Sequence, residues 1–485
     1  MGSRLSRLNR PAPTSAPEPV QPQPFAPAAD LPFPADEPPK LEEQHQVPPK
    51  RRTTPRIAAL RKQLRGKLLS APDEFDQMDS RNPEHQQIVR DRLRIVLERA
   101  HIQLSPHELA ELESMLILDL LGFGPIEPLV HDTICSEIMV NGPDVIFAER
   151  KGKITETEYV FDDEEHLQWT TQRIVRPLQR EFNRNNPMVD ARLPDGSRVH
   201  LIMPPSALQG TTVTIRKFPA KPLTVEDLIR FGSFTDDVAE FLRACVVARL
   251  NIVVSGGTGS GKTTLLNVLS AYIPDDERIV TIEDSAELQL SQRHVVRLET
   301  CPPVPKSDGA EGRLIIRDLV KGSLRMRPDR IVVGECRSGE ALDMLQAMNT
   351  GHDGSLTTIH ANSPRDCIAR LETLVLMAGM DLPVGVIRRQ IASAVQLIIQ
   401  QSRLKDGSRK IVQISELQGM EGEQVTLQDI FVYQTPDHKG GGPSLLGGGT
   451  LTPTGFRPGF MDRLEQAGCK LSGRIFGVGS GKFGA

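Results

Sequence analysis

The sequence predicts an α/β fold for its C-terminal half, preceded by a small α+β domain and an N-terminal helical bundle. Three observations support this prediction. From residue 236 onward, apolar β-branched strands alternate with helical segments, as in a parallel sheet covered on both faces. Residues 136–218 instead hold short strands separated by turn signals such as Pro194-Asp195-Gly196-Ser197. Residues 57–130 carry apolar side chains at helical spacing.

The composition is typical of a globular protein with two or three domains. The 485 residues are 38% hydrophobic and 25% charged, with a net charge of −4. This acidic balance, with only 4% aromatic residues, argues against a specific nucleic-acid partner. Six cysteines without a Cys-X-X-Cys pair predict neither a zinc ribbon nor a disulfide framework. The sequence has no secretory signal and no apolar run of about 18 residues, so we expect a cytoplasmic protein.

The first part of the chain divides into a tail and a bundle. Residues 1–56 hold 14 of the 38 prolines, and we expect them to form a disordered tail. Within the bundle, residues 57–130, Asn82-Pro83 supplies an N-cap followed by a proline at the first helical position. Ser105-Pro106-His107-Glu108 is a capping box. These signals predict the starts of two helices.

The remaining boundaries follow from changes in pattern. The small α+β domain is predicted at 131–218, and a proline-containing linker with a short helix at 219–235. The α/β domain is predicted at 236–434, ending in a hairpin and one last strand. Residues 435–485 read as a glycine-rich segment followed by a short C-terminal coda.

A glycine-rich motif joins a predicted strand to a predicted helix and fits the Walker A pattern G-x-x-x-x-G-K-[ST] at every fixed position. The backbone N–H groups of such a loop, with the helix N-terminus, surround a phosphate. Lys262 is expected to reach the β- and γ-phosphates of ATP, and the Thr263 hydroxyl to bind Mg²⁺. The predicted nucleotide-binding residues here are Gly256, Gly257, Thr258, Gly259, Ser260, Gly261, Lys262, Thr263 and Thr264.

Polar side chains follow three further strands of the predicted sheet. Glu283 and Glu287 follow one strand, Glu335 follows the next, and His360 follows a third. The carboxyl ends of parallel strands border a ligand crevice, so these four residues are candidates for catalysis. Glu335 is expected to hold Mg²⁺, and the choice of base among Glu335, Glu287 and Glu283 stays open. His360 and His352 are candidates either to sense the γ-phosphate or to relay between subunits.

Three arginines lie in the second half of the small domain: Arg192, Arg198 and Arg216. If this domain folds over the P-loop, their charges could neutralise the phosphates, as arginine fingers do. We therefore include them among the predicted nucleotide-binding residues. A purely solvent-facing role is the alternative for each.

These motifs carry a family resemblance. The segments 255–264, 281–284, 327–337 and 350–362 resemble the Walker A, Asp box, Walker B and His box of the secretion ATPase superfamily. The upstream segments 122–129, 136–142 and 189–199 resemble its CpaF/TadA branch, which powers Tad-type type IV pili. The chain lacks the tetracysteine zinc module of the type II secretion and type IVa pilus extension ATPases, which favours this branch.

The resemblance implies a homohexamer of RecA-like domains that hydrolyses ATP with Mg²⁺ to drive the assembly of a pilus, and it leaves open whether the same motor also drives retraction. It implies inner-membrane platform proteins as partners, and a peripheral location at the cytoplasmic face of the bacterial inner membrane. The alternatives are a type IV secretion ATPase that moves protein or DNA, a RecA-like nucleic-acid translocase, and a scaffold that binds ATP but barely hydrolyses it.

Overall fold

The computed structural model describes residues 49–477, with gaps at 72, 77, 151, 179–180, 219–220, 306–310 and 436–447. Of residues 301–305 and 311–313 it describes only the backbone. The predicted tail up to residue 48 and most of the glycine-rich stretch 439–449 lie outside the described residues. No helix among the described residues is long and apolar enough to cross a membrane.

Three helices come first, and each begins with a proline behind a side-chain cap. They are α1 (Pro55–Lys67), α2 (Pro83–Arg99) and α3 (Pro106–Leu121). Proline is tolerated at the first helical position, because an N–H group there would have no hydrogen-bond partner within the helix. Thr54, Asn82 and Ser105 each accept a backbone N–H of the first turn. The helix starts predicted at Asn82-Pro83 and Ser105-Pro106 are confirmed.

A six-stranded antiparallel sheet follows, in the order β3-β2-β1-β6-β5-β4. Its elements are α4 (Glu127–His131), β1 (Cys135–Asn141), β2 (Ile146–Arg150), β3 (Lys153–Glu156), α5 (Glu164–Val175), β4 (Met188–Arg192), β5 (Arg198–Ile202) and β6 (Thr212–Arg216). The turn signal at 194–197 joins β4 to β5, as predicted. One face of this small sheet packs on α5 through Leu167, Ile174 and Val175.

The rest of the chain builds a nine-stranded sheet. Its elements are α6 (Val225–Arg230), α7 (Asp236–Val247), β7 (Ile252–Gly256), α8 (Lys262–Ser270), β8 (Ile279–Glu283), β9 (Val295–Glu299), a separate hairpin of β10 (Cys301–Pro305) and β11 (Glu311–Leu314), α9 (Ile316–Ser323), β12 (Arg330–Val333), α10 (Glu340–Asn349), β13 (Leu356–Ile359), α11 (Pro364–Leu376), α12 (Val384–Ala394), β14 (Leu397–Arg403), β15 (Arg409–Glu421), β16 (Gln424–Gln434), β17 (Thr450–Pro453) and α13 (Met461–Gln466).

The strand order of the large sheet is β17-β16-β15-β14-β7-β13-β12-β8-β9. The six strands from β14 to β9 run parallel, whereas β15, β16 and β17 are antiparallel additions. Helices α7 and α8 pack on one face, and α9 to α12 on the other. Since both faces are covered, the central strands β7, β8, β12 and β13 are buried along their whole length. The predicted α/β class of this part of the chain is confirmed.

Two features differ from the sequence prediction. The strand predicted at 425–433 is not the last strand of the sheet, because β17 pairs with it as one further strand. Leu451, Leu464 and Phe476, which follow in the chain, belong to the core beside α7. The predicted linker is also attached to this core, through Leu228 and Phe234. From residue 49 onward the chain forms one compact unit, so its division into domains with the predicted boundaries stays a proposal.

Candidate active site

The glycine-rich loop turns the chain from β7 into α8 at the carboxyl edge of the parallel strands. Gly259 and Gly261 have φ angles of 70° and 95°, a left-handed backbone that other residues rarely adopt. A Cβ at Gly256 would lie 2.4 Å from the Gln401 carbonyl oxygen, so the close approach of β14 requires this glycine. Strand, loop and helix have the arrangement that the motif predicts.

Three donors of the loop converge on one oxygen. The Gly257 carbonyl accepts hydrogen bonds from Lys262 Nζ at 2.9 Å, from Ser260 Oγ at 2.9 Å and from the Ser260 N–H at 3.4 Å. Lys262 is buried, and burial lowers its pKa while the charge of Glu335 acts in the opposite direction. A phosphate oxygen is a stronger acceptor than a neutral carbonyl for these donors. The loop therefore fits a phosphate chain.

The predicted Mg²⁺ ligands contribute one hydroxyl and one carboxylate. Thr263 is half-buried in the first turn of α8, beside Thr264, whereas Thr258 is exposed at the tip of the loop. Among the described residues, no group of three or more His, Cys, Asp or Glu side chains could hold a metal ion. Mg²⁺ in nucleotide sites binds through one or two protein groups, phosphate oxygens and water. Thr263 and Glu335 fit that sparse set.

Glu335 lies at the centre of a line of polar groups that runs from Lys262 through His360 to Arg337 and Asp284. His360 Nδ1 is 3.4 Å from Lys262 Nζ, and His360 Nε2 is 3.4 Å from Glu335 Oε2. Arg337 pairs with the other Glu335 oxygen and lies 3.8 Å from Asp284. Burial and then the charge of Lys262 lower the pKa of His360. His360 is therefore neutral near pH 7, with Nδ1 accepting from Lys262 and Nε2–H donating to Glu335.

The two acids after β8 have different surroundings. Glu283 is buried, and its Oε2 accepts the backbone N–H groups of Glu287 at 2.7 Å and Leu288 at 3.1 Å. Burial raises the pKa of Glu283 to about 7, although these hydrogen bonds oppose the shift. Its carboxylate therefore holds the loop that follows β8. Glu287 instead faces the small sheet, 3.2 Å from Arg198 and 3.8 Å from Arg216.

The three predicted arginines share one register position across the small sheet. Arg192 on β4 pairs with Arg198 on β5, and Arg198 pairs with Arg216 on β6. Arg198 donates to the Ser285 carbonyl at 2.8 Å, and Arg192 contacts Glu299 at 2.9 Å. Arg216 lies close enough to Lys262 for its charge to contribute to the lowered pKa of that lysine. Small sheet and P-loop thus face the same space.

Two aspects of the site differ from the sequence analysis. His352 precedes β13, so it lies at the amino edge of the sheet, opposite the P-loop of this chain, and does not sense phosphate there. Arg409 was missed, although its Nε donates to the Gly259 carbonyl at 2.9 Å. The hairpin that carries Arg409 was predicted, but its position beside β7 depends on strand order, which short-range patterns do not encode. The roles of the predicted site residues stay a prediction.

Comparisons with known proteins match most of the chain. Residues 119–426 match the family described as Type II/IV secretion system protein. A protein of Mycobacterium tuberculosis described as a conjugal transfer protein is 35% identical over 316 residues. The match covers 64% of this chain and 88% of that protein. The type IV secretion system protein VirB11 of Brucella suis is 33% identical over 300 residues, 57% of this chain and 83% of that protein. The crystal structure of the Brucella suis VirB11 ATPase aligns at 31% identity with a TM-score of 0.34, covering 60% of this chain and 92% of that chain.

Proposed function

The chain belongs to the type II/IV secretion system protein family and is an ATPase, and from that premise we propose a motor that drives a pilus or secretion machine. The contact of the small sheet with the site supports this proposal most directly. Arg198 and Arg216 reach Glu287, which follows a central strand of the ATPase sheet. A change at the nucleotide can therefore be transmitted to the small sheet as motion.

We assign the reaction roles from the contacts of each group. Lys262 and the loop N–H groups bind the phosphates, and Thr263 and Glu335 hold Mg²⁺, which when bound polarises the phosphate and offsets its charge. His360 fixes one oxygen of Glu335, so Glu335 is also best placed to orient the attacking water. Glu283 is a positioning residue for the loop after β8.

The three arginines are proposed to supply the remaining positive charge. Their alignment in neighbouring strands places like charges side by side, which is unfavourable unless anions lie opposite. Glu287 and Glu299 are the anions that face them here. ATP phosphates would compete for the same guanidinium groups, and this exchange of partners would couple hydrolysis to domain closure.

Two machines are candidates for what the motor drives. The upstream segments that resemble the CpaF/TadA branch favour a Tad-type pilus, with a homohexamer docked on platform proteins at the cytoplasmic face of the inner membrane. The relatives named for conjugal transfer and type IV secretion favour a motor that moves protein or DNA. A strain that lacks the gene separates them, because it loses piliation in the first case and conjugation or effector transfer in the second.

The ATPase assignment is tested by Lys262→Met. We expect ATP turnover to fall by at least about 100-fold, because the phosphates lose their buried cation. We also expect an unchanged or higher melting temperature, because burial disfavours the charge of Lys262 in the folded protein. The exposed Lys470→Met is the control and should keep wild-type turnover. Full turnover by the Lys262 variant would refute the assignment.

A further inference from the structure

The turn end of the β14–β15 hairpin, where β14 ends and β15 begins, contacts three separate parts of the molecule. The Arg403 guanidinium donates to the Gly152 carbonyl in the small sheet at 3.0 Å. Lys410 Nζ donates to the Gly232 carbonyl at 2.7 Å, in the segment between the two sheets. Arg409 donates to the P-loop. This end of the hairpin therefore touches the small sheet, the connecting segment and the phosphate-binding loop together.

Arg409, the first residue of β15, touches both the P-loop and the connecting segment. Its side chain reaches the Gly259 carbonyl at 2.9 Å, while its own carbonyl accepts the Ser233 hydroxyl at 2.7 Å. Two residues further along β15, the Ile411 N–H reinforces the second contact, because it donates to the Ser233 carbonyl at 3.0 Å. Ser233 is buried, so its hydroxyl has a fixed partner rather than water.

The contact at Gly259 acts on a donor of the phosphate cradle. The C=O of Gly259 and the N–H of Ser260 belong to one planar trans peptide and therefore point in opposite directions. When Arg409 holds this carbonyl outward, the Ser260 N–H points inward, where it meets the Gly257 oxygen together with Lys262. Any rearrangement of the cradle that rotates this peptide must pull on Arg409 or break its hydrogen bond.

We propose that Arg409 is a positioning residue that couples the orientation of the Gly259–Ser260 peptide to the connecting segment at Ser233. The inference rests on the proposed ATPase function and adds a route by which the state of the loop reaches the small sheet. A contact that only stabilises the fold would change the melting temperature when it is removed. A contact that couples the loop to the connecting segment also changes how the Ser233–Ile411 hydrogen bond responds to nucleotide.

The test uses the full-length chain with Arg409→Ala, Ser233→Ala and the double variant. Each single substitution should lower kcat about fivefold, the equivalent of one net hydrogen bond, with little change in KM. The double variant should be no slower than either single variant, because both break the same link. Arg457→Ala, at an exposed arginine that pairs with Glu465, is the control.

A second readout does not depend on turnover. Hydrogen exchange at the Ile411 amide should slow in wild type when a non-hydrolysable ATP analogue binds, and should stay unchanged in Arg409→Ala. Two outcomes would overturn the coupling. One is a slowing of exchange in Arg409→Ala as large as in wild type, and the other is a kcat of the double variant reduced about 25-fold, the product of the two single losses. A wild type that neither binds the analogue nor turns over ATP would instead refute the proposed function itself.

Discussion

Glu283 shows how one buried carboxyl can make folding stability depend on pH. Its pKa in the folded protein is about 7, above the ordinary value of 4.5, because burial disfavours the carboxylate. The folded state therefore binds this proton more tightly than the unfolded state does. The contribution of this proton to the free energy of unfolding is fully present below about pH 4.5 and is lost as the pH rises towards 7.

We expect Glu283→Gln to remove this loss, because the amide does not titrate and its oxygen can still accept the N–H groups of Glu287 and Leu288. The melting temperature of the variant should exceed that of wild type by an amount that grows between pH 5 and 7 and then levels off. Thermal unfolding across this range measures the difference, with the exposed Glu98→Gln as the control for the substitution itself. Parallel curves for wild type and Glu283→Gln would contradict the raised pKa.

A buried ion cluster joins three helices near the start of the chain. Asp119 of α3 is fully buried and accepts two hydrogen bonds from Arg61 of α1, at 2.6 and 2.7 Å. His166 of α5 lies 2.9 Å from the same carboxylate. Burial alone would raise the pKa of Asp119, but His166 and Arg61 outweigh it and hold this pKa well below its usual range. The cluster fixes the helical bundle to the helix of the small sheet.

Asp119→Asn tests that attachment, because it removes the carboxylate that pairs with buried Arg65 at 3.7 Å and leaves buried Arg61 with Asp162 as its remaining counter-charge. We expect a loss of about 3–5 kcal/mol in unfolding free energy, measured by urea denaturation at pH 7. The matched control is Asp144→Asn, which breaks the exposed pair with Arg52 and should cost no more than about 1 kcal/mol. Equal effects of the two substitutions would show that the buried cluster does not hold the helices.

At the level of elements, the sequence predicted those helices, strands and turns whose signals lie within a few neighbouring residues. The P-loop, the hairpin at 194–197 and the proline-capped helices each depend on neighbours in sequence, and all three are found in the structure. Strand β17 was missed because four residues after a glycine-rich stretch carry too little periodicity. The position of Arg409 at Gly259 was missed because β14 pairs with β7 across more than a hundred residues.

At the level of the whole molecule, the central feature is the row of arginines on the small sheet opposite the P-loop. One register position on three adjacent strands carries Arg192, Arg198 and Arg216. Of their acidic partners, Glu287 follows β8 and Glu299 is the last residue of β9 in the large sheet. The sequence predicted that these arginines face the phosphates. They contact Glu287 and Glu299, beside the cradle, so closure on the phosphates requires an exchange of partners when nucleotide binds.

The most direct test of that exchange is a structure of the assembled protein with Mg²⁺ and a non-hydrolysable ATP analogue. We predict that the guanidinium group of Arg198 or Arg216 lies within hydrogen-bonding distance of a phosphate oxygen, and that its pair with Glu287 is broken. Arginines that stay on Glu287 and Glu299 in every nucleotide-filled site would contradict the proposed closure.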